Sequence, residues 1–447
     1  MAFSPTDSRL NAALFHDSAM AHIFSDEQFV RYLLAVEVAL ATAQTKLHII
    51  PADTDKAVAK AVDGLELDWA QLQLSTDKAG FPIIELVRQL KAAMPDKTQA
   101  NYVHWGATTQ DIMDTALVLQ MRDALTVMAE TLRQTMANMG RMAACHRTTV
   151  MAGRTHSQQA LPISFGLKVA NWLAPLVRHR ERLAELKPRL LVVQFGGAAG
   201  TLASLGDEGA AVQHELAATL GLGEALLPWH NQRDTLVEVA NWLSMVSGSL
   251  AKMAQDIILM AQSEVGEVRE SSDNSRGGSS TMPQKSNPIV SELIVAAART
   301  NASLLSSMHH ALVHEHERAT HGWQLEWLNL PQMFALTAVA LKKALFLSEN
   351  LVVNKVRMVE NVQSSYGLMM GEAISFALSI HMSRADAKGL IRQAGLTALA
   401  EKRHVVDVLQ ETVDEDVAAV VGWDMLRDES QYLGMSDVFI DCVLSTL

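Results

Sequence analysis

Eleven prolines divide the chain unevenly, and the long intervals between them set what it can fold into. None falls between Pro95 and Pro162, between Pro228 and Pro283, between Pro288 and Pro331, or after Pro331. A proline in a helix interior costs about 3 kcal/mol, because it lacks a donor and its ring clashes with the preceding turn. Those intervals are therefore where long helices can run. From Asp111 the chain reads DIMDTALVLQMRDALTVMAETLRQTMANMGRMAACH, with apolar residues three or four apart through Ile112, Ala116, Leu117, Ala124, Leu125, Met128, Leu132, Met136 and Met139. Thr235 to Glu270 and Ile289 to Ala319 repeat the pattern. Each is expected to exceed about 30 residues, or about 45 Å of helix at 1.5 Å per residue.

Apolar positions spill beyond one stripe on these helices, which implies burial on several sides, in a bundle and between subunits. Alternating strand-type runs are scarce and there is no βαβ rhythm. The expectation is an all-α chain with three helical domains. These are a short-helix N-terminal domain over 1–110, a central long-helix bundle over 111–350, and a helical C-terminal domain over 351–447.

Composition narrows the function. Hydrophobic residues make up 49% of 447 positions and charged residues 19%, enough for a core and unlike a disordered chain. The net charge is −12 with no basic run, which excludes a sequence-independent grip on nucleic-acid phosphates. Cys145 and Cys442 lack any CxxC spacing, so neither a disulfide framework nor a structural zinc site is expected. The N-terminus has no basic segment followed by an apolar one, and no apolar run approaches the roughly 18 residues that span a bilayer. A soluble cytoplasmic protein with no membrane partner is expected.

Four stretches carry chemistry. In VHWGATTQDIMDT, Val103 to Thr115, Gly106 breaks the chain and Thr108 and Thr109 stand beside a helix start, where backbone amides bind anions; an ordinary N-cap would look the same. AGRTHSQQALP, Ala152 to Pro162, packs Arg154, Thr155, His156, Gln158 and Gln159 into six positions beside a loop. A histidine there can serve as acid or base, or simply be hydrogen-bonded. RGGSSTMPQKSNP, Arg276 to Pro288, sets two glycines, two serines, Lys285 and Asn287 between Pro-free helical runs, with Glu292 in the turn that follows. A plain connector needs none of these, whereas a catalytic lid does.

Five of the 16 histidines fall in HHALVHEHERATHGWQLEW, His309 to Trp327. No HExxH pattern accompanies them, so a polar helix end lining a cleft is expected there, not a metal site. The glycines of QFGGAAGTLASLG, Gln194 to Gly206, lack the strand a dinucleotide loop requires and read as a tight turn near a ligand.

Together and in this order, the segments resemble the fumarase/aspartase superfamily over nearly the whole chain. Its GSSxMPxKxNP signature stands here as GSSTMPQKSNP. The resemblance implies a homotetramer whose central helices merge into one bundle, with active sites built from several subunits. It implies catalytic roles for Ser279, next to the substrate α-carbon, for His156 as acid/base, for Glu292 as the carboxylate orienting His156, and for Lys285. Substrate-binding roles follow for His104, Thr108, Thr109, Thr155, Gln158, Gln232, Arg233, Ser280, Asn287 and Arg318. The chemistry would pass through an aci-carboxylate that demands preorganised donors and cations, with no metal and no organic cofactor.

Within the superfamily, RLNAALFHDSAMAHIFSDEQFVRYLLAVEVALA and HEHERATHGWQLEW look most like the cycloisomerase branch, which closes a γ-lactone from a conjugated small tricarboxylate. VHWGATTQDIMDT and GRTH are shared with adenylosuccinate lyases, C–N lyases that release fumarate. Those usually carry arginine after the loop lysine, where Ser286 stands here. A catalytically dead relative would have lost Ser279 or His156, and both are present.

Overall fold

A computed structural model describes residues 8–271, 277–278, 281–282 and 285–447. It is all-α apart from two small two-stranded antiparallel sheets among the described residues. The residues group into two compact units. One comprises Met1–Glu130, His179–Ser247 and Ala297–Val339, and the other Thr131–Arg178, Gly248–Ala296 and Ala340–Leu447. Several long helices contribute residues to both.

The longest helix, Thr109–Cys145, has 37 residues and begins where its periodicity predicts. Two others are shorter than expected. The run expected over Thr235–Glu270 is helical over Asp234–Met260. Gly266, at φ +60°, turns the chain before Val268–Arg269 pairs with Val352–Val353. The run expected over Ile289–Ala319 stops at His310. His316, at φ +51°, lies in the connection to the His321–Asn350 helix. The histidine-rich stretch is therefore mostly a connection, not one helix end.

Prolines fail as helix boundaries in two places. Phe165–Leu190 runs through Pro175 and Pro188, and His321–Asn350 runs through Pro331. Leu330, Met333 and Phe334 are all buried around Pro331, and such burial, worth about 1.5–3 kcal/mol per large side chain, offsets the lost backbone bond. By length and composition the His321–Asn350 helix resembles a membrane span. Its most apolar stretch, however, is 56% buried within the chain, as a core helix is.

The first unit packs Val30, Leu33, Val36 and Leu40 of the Asp26–Lys46 helix against Leu86 and Leu90 and against Ile112, Ala116 and Leu119. Ser25 caps that helix by accepting from Gln28 N, and Asp26 and Glu27 complement its positive end. The second unit has its own core around Ile374, Ala394, Val406, Leu409 and Trp423. Cys145 and Cys442 are free and exposed.

Candidate active site

In the first unit, Asp111 organises the Val103–Thr115 stretch. It occupies the third position of the Thr109–Cys145 helix, and its Oδ2 accepts the Thr108 amide at 3.0 Å, as a capping carboxylate does. The same carboxylate accepts the Gly196 and Gly197 amides at 2.9 Å each and faces His230 Nε2 at 2.8 Å. Gly196 has no space for a Cβ beside Pro228 and His230. The glycine segment expected to be a turn near a ligand is thus a cradle for Asp111. Thr108 and Thr109 are half-buried at the helix start, and neither hydroxyl has a partner among the described residues. Arg318, also half-buried, donates Nε to Gln110 Oε1 at 3.1 Å and Nη2 to the Gly197 carbonyl at 3.2 Å. Gln232 is exposed. His104 lies at φ +64° with Nδ1 2.6 Å from Glu37 Oε1.

Arg233 departs from expectation. It was expected to bind substrate, yet it is 1% exposed. Nε and Nη2 bond Glu326 at 2.7 and 2.6 Å, Nη1 and Nη2 bond Asp114 at 2.6 and 3.0 Å, and Nη1 also reaches the Trp229 carbonyl. All five N–H groups are thereby occupied, so no donor remains for a ligand. Trp323 Nε1 adds a bond to Asp114 at 3.0 Å. Burial pushes Glu326 up to about 7, against the pull of the guanidinium. Arg233 is a structural clamp between two buried carboxylates.

In the second unit, the AGRTHSQQALP stretch, expected to stand beside a loop, lies in a β-hairpin. Strands β1 (Val150–Thr155) and β2 (Gln158–Ser164) pair antiparallel, with Thr155 opposite Gln158. The two turn residues are His156 at φ +49° and Ser157 at φ +63°. Two positive φ values are what a type I′ turn requires, a geometry that favours Asn-Gly. Here a ring-bearing side chain occupies the strained position, and Thr155, His156 and Gln158 are all exposed. Arg154 ties the hairpin down through a two-pronged bond to Glu267 at 2.9 and 2.7 Å. Glu267 is fully buried and also accepts from Asn361 Nδ2 at 3.0 Å.

Of the signature loop, Arg276, Ser279 and Ser280 lie outside the described residues. What is described closes on itself. Asn287 N donates to the Gly277 carbonyl at 2.8 Å, and Gly278 bridges to Ser286. Gly277 has φ +69°, and a Cβ there would strike the Asn287 carbonyl. Lys285 is exposed and Asn287 half-buried. The Glu270 carboxylate accepts from Val290 N at 3.0 Å and Ser291 N at 2.6 Å, so it fills the anion position at the start of the Ile289–His310 helix. Glu292 projects from that first turn and is exposed. No hydrogen bond joins it to His156 within one chain among the described residues. No group of three His, Cys, Asp or Glu side chains among them is placed to hold a metal ion.

Sequence reading passed over Glu37, Asp114, Glu267 and Glu326. For Glu37, Asp114 and Glu326 the signal is a carboxylate in an apolar helical run, as in LAVEVALA, where an acid between buried aliphatics requires a partner; Glu267 stands in a bend before Val268–Arg269 and carries no such pattern.

The helical fold and these motifs define a lyase, and the profile of a lyase family matches residues 13–300. The chain belongs to that family, within the fumarase/aspartase superfamily. It is 42% identical over 445 residues to 3-carboxy-cis,cis-muconate cycloisomerase of Acinetobacter baylyi, covering 98% of each chain. It is 39% identical over 435 residues to trans-aconitate decarboxylase 1 of Mycosarcoma maydis, covering 97% of this chain and 88% of that one. The crystal structure of 3-carboxy-cis,cis-muconate lactonizing enzyme from Pseudomonas putida matches with a TM-score of 0.93 at 39% identity, covering 98% of this chain and 99% of that one.

Proposed function

We infer that this enzyme catalyses the lactonisation of 3-carboxy-cis,cis-muconate to 4-carboxymuconolactone, a step of the protocatechuate branch of the β-ketoadipate pathway. The observation that carries the reading is 42% identity over 98% of both chains with the Acinetobacter cycloisomerase.

One carboxylate of the triacid adds across a conjugated double bond, forming the ring C–O bond. The displaced π electrons pass to the carbon α to another carboxylate, giving an aci-carboxylate, and a proton then arrives at that carbon. Ser279 delivers the proton, and Lys285 and Asn287 hold the developing charge. Such preorganised cations and donors act most strongly on charge that develops only in the transition state. Thr108, Thr109, His104 and Arg318 bind substrate carboxylates, with Thr155, Gln158, Gln232 and Ser280. His156, oriented by Glu292, serves as acid/base. A carboxylate whose pKa is about 4 needs little proton help as nucleophile or leaving group, so His156 contributes less here than in lyases that expel an amine.

The exposure of His156 and Glu292 without a mutual bond supports a homotetramer with sites shared between subunits. We place it in the cytoplasm and divide it into domains over 1–110, 111–350 and 351–447.

The test is an ultraviolet assay of purified protein against 3-carboxy-cis,cis-muconate, adenylosuccinate and trans-aconitate in parallel, with and without chelator. Loss of the muconate absorbance alone, unaffected by chelator, is expected. Turnover of either other substrate with none of the muconate contradicts the reading.

A further inference from the structure

Glu37 is a charged residue on a face of the Asp26–Lys46 helix that is otherwise core. It is 2% exposed, beside Val36, Ala39 and Leu40. Isolating a carboxylate from water costs several kcal/mol unless partners compensate. Glu37 is only half compensated: Oε1 meets His104 Nδ1 at 2.6 Å, and Oε2 has no partner. Asp111, by contrast, spreads five donors over its two oxygens. A carboxylate whose task was packing alone would be bonded as Asp111 is.

The histidine side of the pair is also held at a cost. His104 adopts φ +64°, a conformation worth about 1–3 kcal/mol of strain in a residue with a side chain, and one that collects at functional sites. Two turns along the same helix, buried Gln44 donates to the Trp105 carbonyl at 2.7 Å. One helix thus grips the loop at two consecutive residues, 104 through its ring and 105 through its backbone. The His104 side chain keeps 19% of its surface exposed, and Nε2 has no partner among the described residues. Burial lowers the imidazole's affinity for a proton, but the charge and hydrogen bond of Glu37 outweigh it. Asp111 adds to the rise, Lys91 opposes it, and the pKa is raised overall.

We propose that Glu37 is a positioning residue: it takes Nδ1 of His104 and holds the ring as an imidazolium whose Nε2–H binds a carboxylate of the substrate. This rests on the tricarboxylate reading of the site. The unbonded Oε2 fits the role, because a carboxylate less satisfied by other donors favours the charge on its one partner more strongly. His104 stays charged below its raised pKa, and its anion-binding capacity is lost as pH rises through that value.

The experiment compares wild type with Glu37→Gln, which keeps an acceptor of the same size opposite Nδ1 but removes the charge. Imidazole NMR follows the titration of His104, assigned through His104→Gln. Calorimetry measures binding of propane-1,2,3-tricarboxylate, an unreactive triacid, at one pH below and one above both midpoints of the pair. The midpoint should fall in Glu37→Gln. At the pH above both midpoints, triacid binding to Glu37→Gln should be weaker by about tenfold for each unit of that fall, while at the lower pH it should match wild type. An unchanged midpoint, or the same loss of affinity at every pH, overturns the proposal. Should Glu37→Gln not fold, the wild-type titration decides alone: the midpoint must rise when triacid binds, and a fixed midpoint refutes it. Because the probe does not react, failure to turn over the muconate leaves this test intact, and failure here leaves the assay of the reaction intact.

Discussion

Arg233 and His156 were expected to serve one site, and the structure treats them in opposite ways. Arg233 is sealed between Asp114 and Glu326 with every N–H group bonded. His156 sits exposed at the tip of a two-residue turn, at a positive φ, with no hydrogen-bond partner among the described residues. The first arrangement spends a reactive group on stability. The second holds an imidazole exposed at a strained backbone position. The difference shows that residue type and motif position identify polar residues in need of partners, while accessibility decides whether those partners are the chain's own or a ligand.

If the comparison holds, changes at the clamp should unfold the protein, and changes at the tip should alter catalysis alone. Arg233→Met leaves the buried Asp114 and Glu326 carboxyls without their cation and should lower unfolding free energy by about 3–5 kcal/mol in urea titrations. Near-normal stability would break the clamp side of the comparison.

A smaller effect concerns pH. Burial holds Glu326 at about 7, above the ordinary carboxyl value, so across the interval up to 7 the folded state binds more protons than the unfolded one. Stability relative to Glu326→Gln should therefore fall as pH rises through that interval, by at most about 1.4 kcal/mol per pH unit. A flat or rising difference would place the proton elsewhere.

Gly277→Ala forces a Cβ onto the Asn287 carbonyl at φ +69° and should cost upwards of about 1 kcal/mol. It should also raise KM as Lys285 and Asn287 shift. Unchanged melting and KM would show that the loop tolerates opening there.

The smallest stability effect belongs to His156→Asn. Asparagine suits the left-handed conformation, so melting should change by less than about 0.5 kcal/mol. Yet kcat should fall by roughly 10²-fold, the low end for an acid/base group. A large loss of stability would make His156 a structural residue like Arg233.

Much of this was legible in the sequence. Periodicity located the 37-residue helix and the all-α class because one apolar pattern runs through dozens of positions. Other features depended on tertiary context. The helices that pass through Pro175 and Pro331 persist because buried neighbours outweigh the broken backbone bond. The hairpin at GRTHSQ escaped notice because its turn uses His-Ser where glycine or asparagine would announce it. The binding motifs were visible, but their division of labour was not. Arg233 and Arg318 stand in comparably polar segments, and only packing shows one sealed and the other half-buried beside the Asp111 cradle.

The central claim is that the exposed hairpin tip and the signature loop act together only when subunits combine. Ser279→Ala and His156→Asn, each expressed alone, should have little activity. Coexpressed in equal amounts, they should recover about one quarter of wild-type activity, because a site drawing each residue from a different subunit then receives both intact groups that often. Activity of the mixture no higher than the mean of the two variants would contradict the account, placing each site within a single chain.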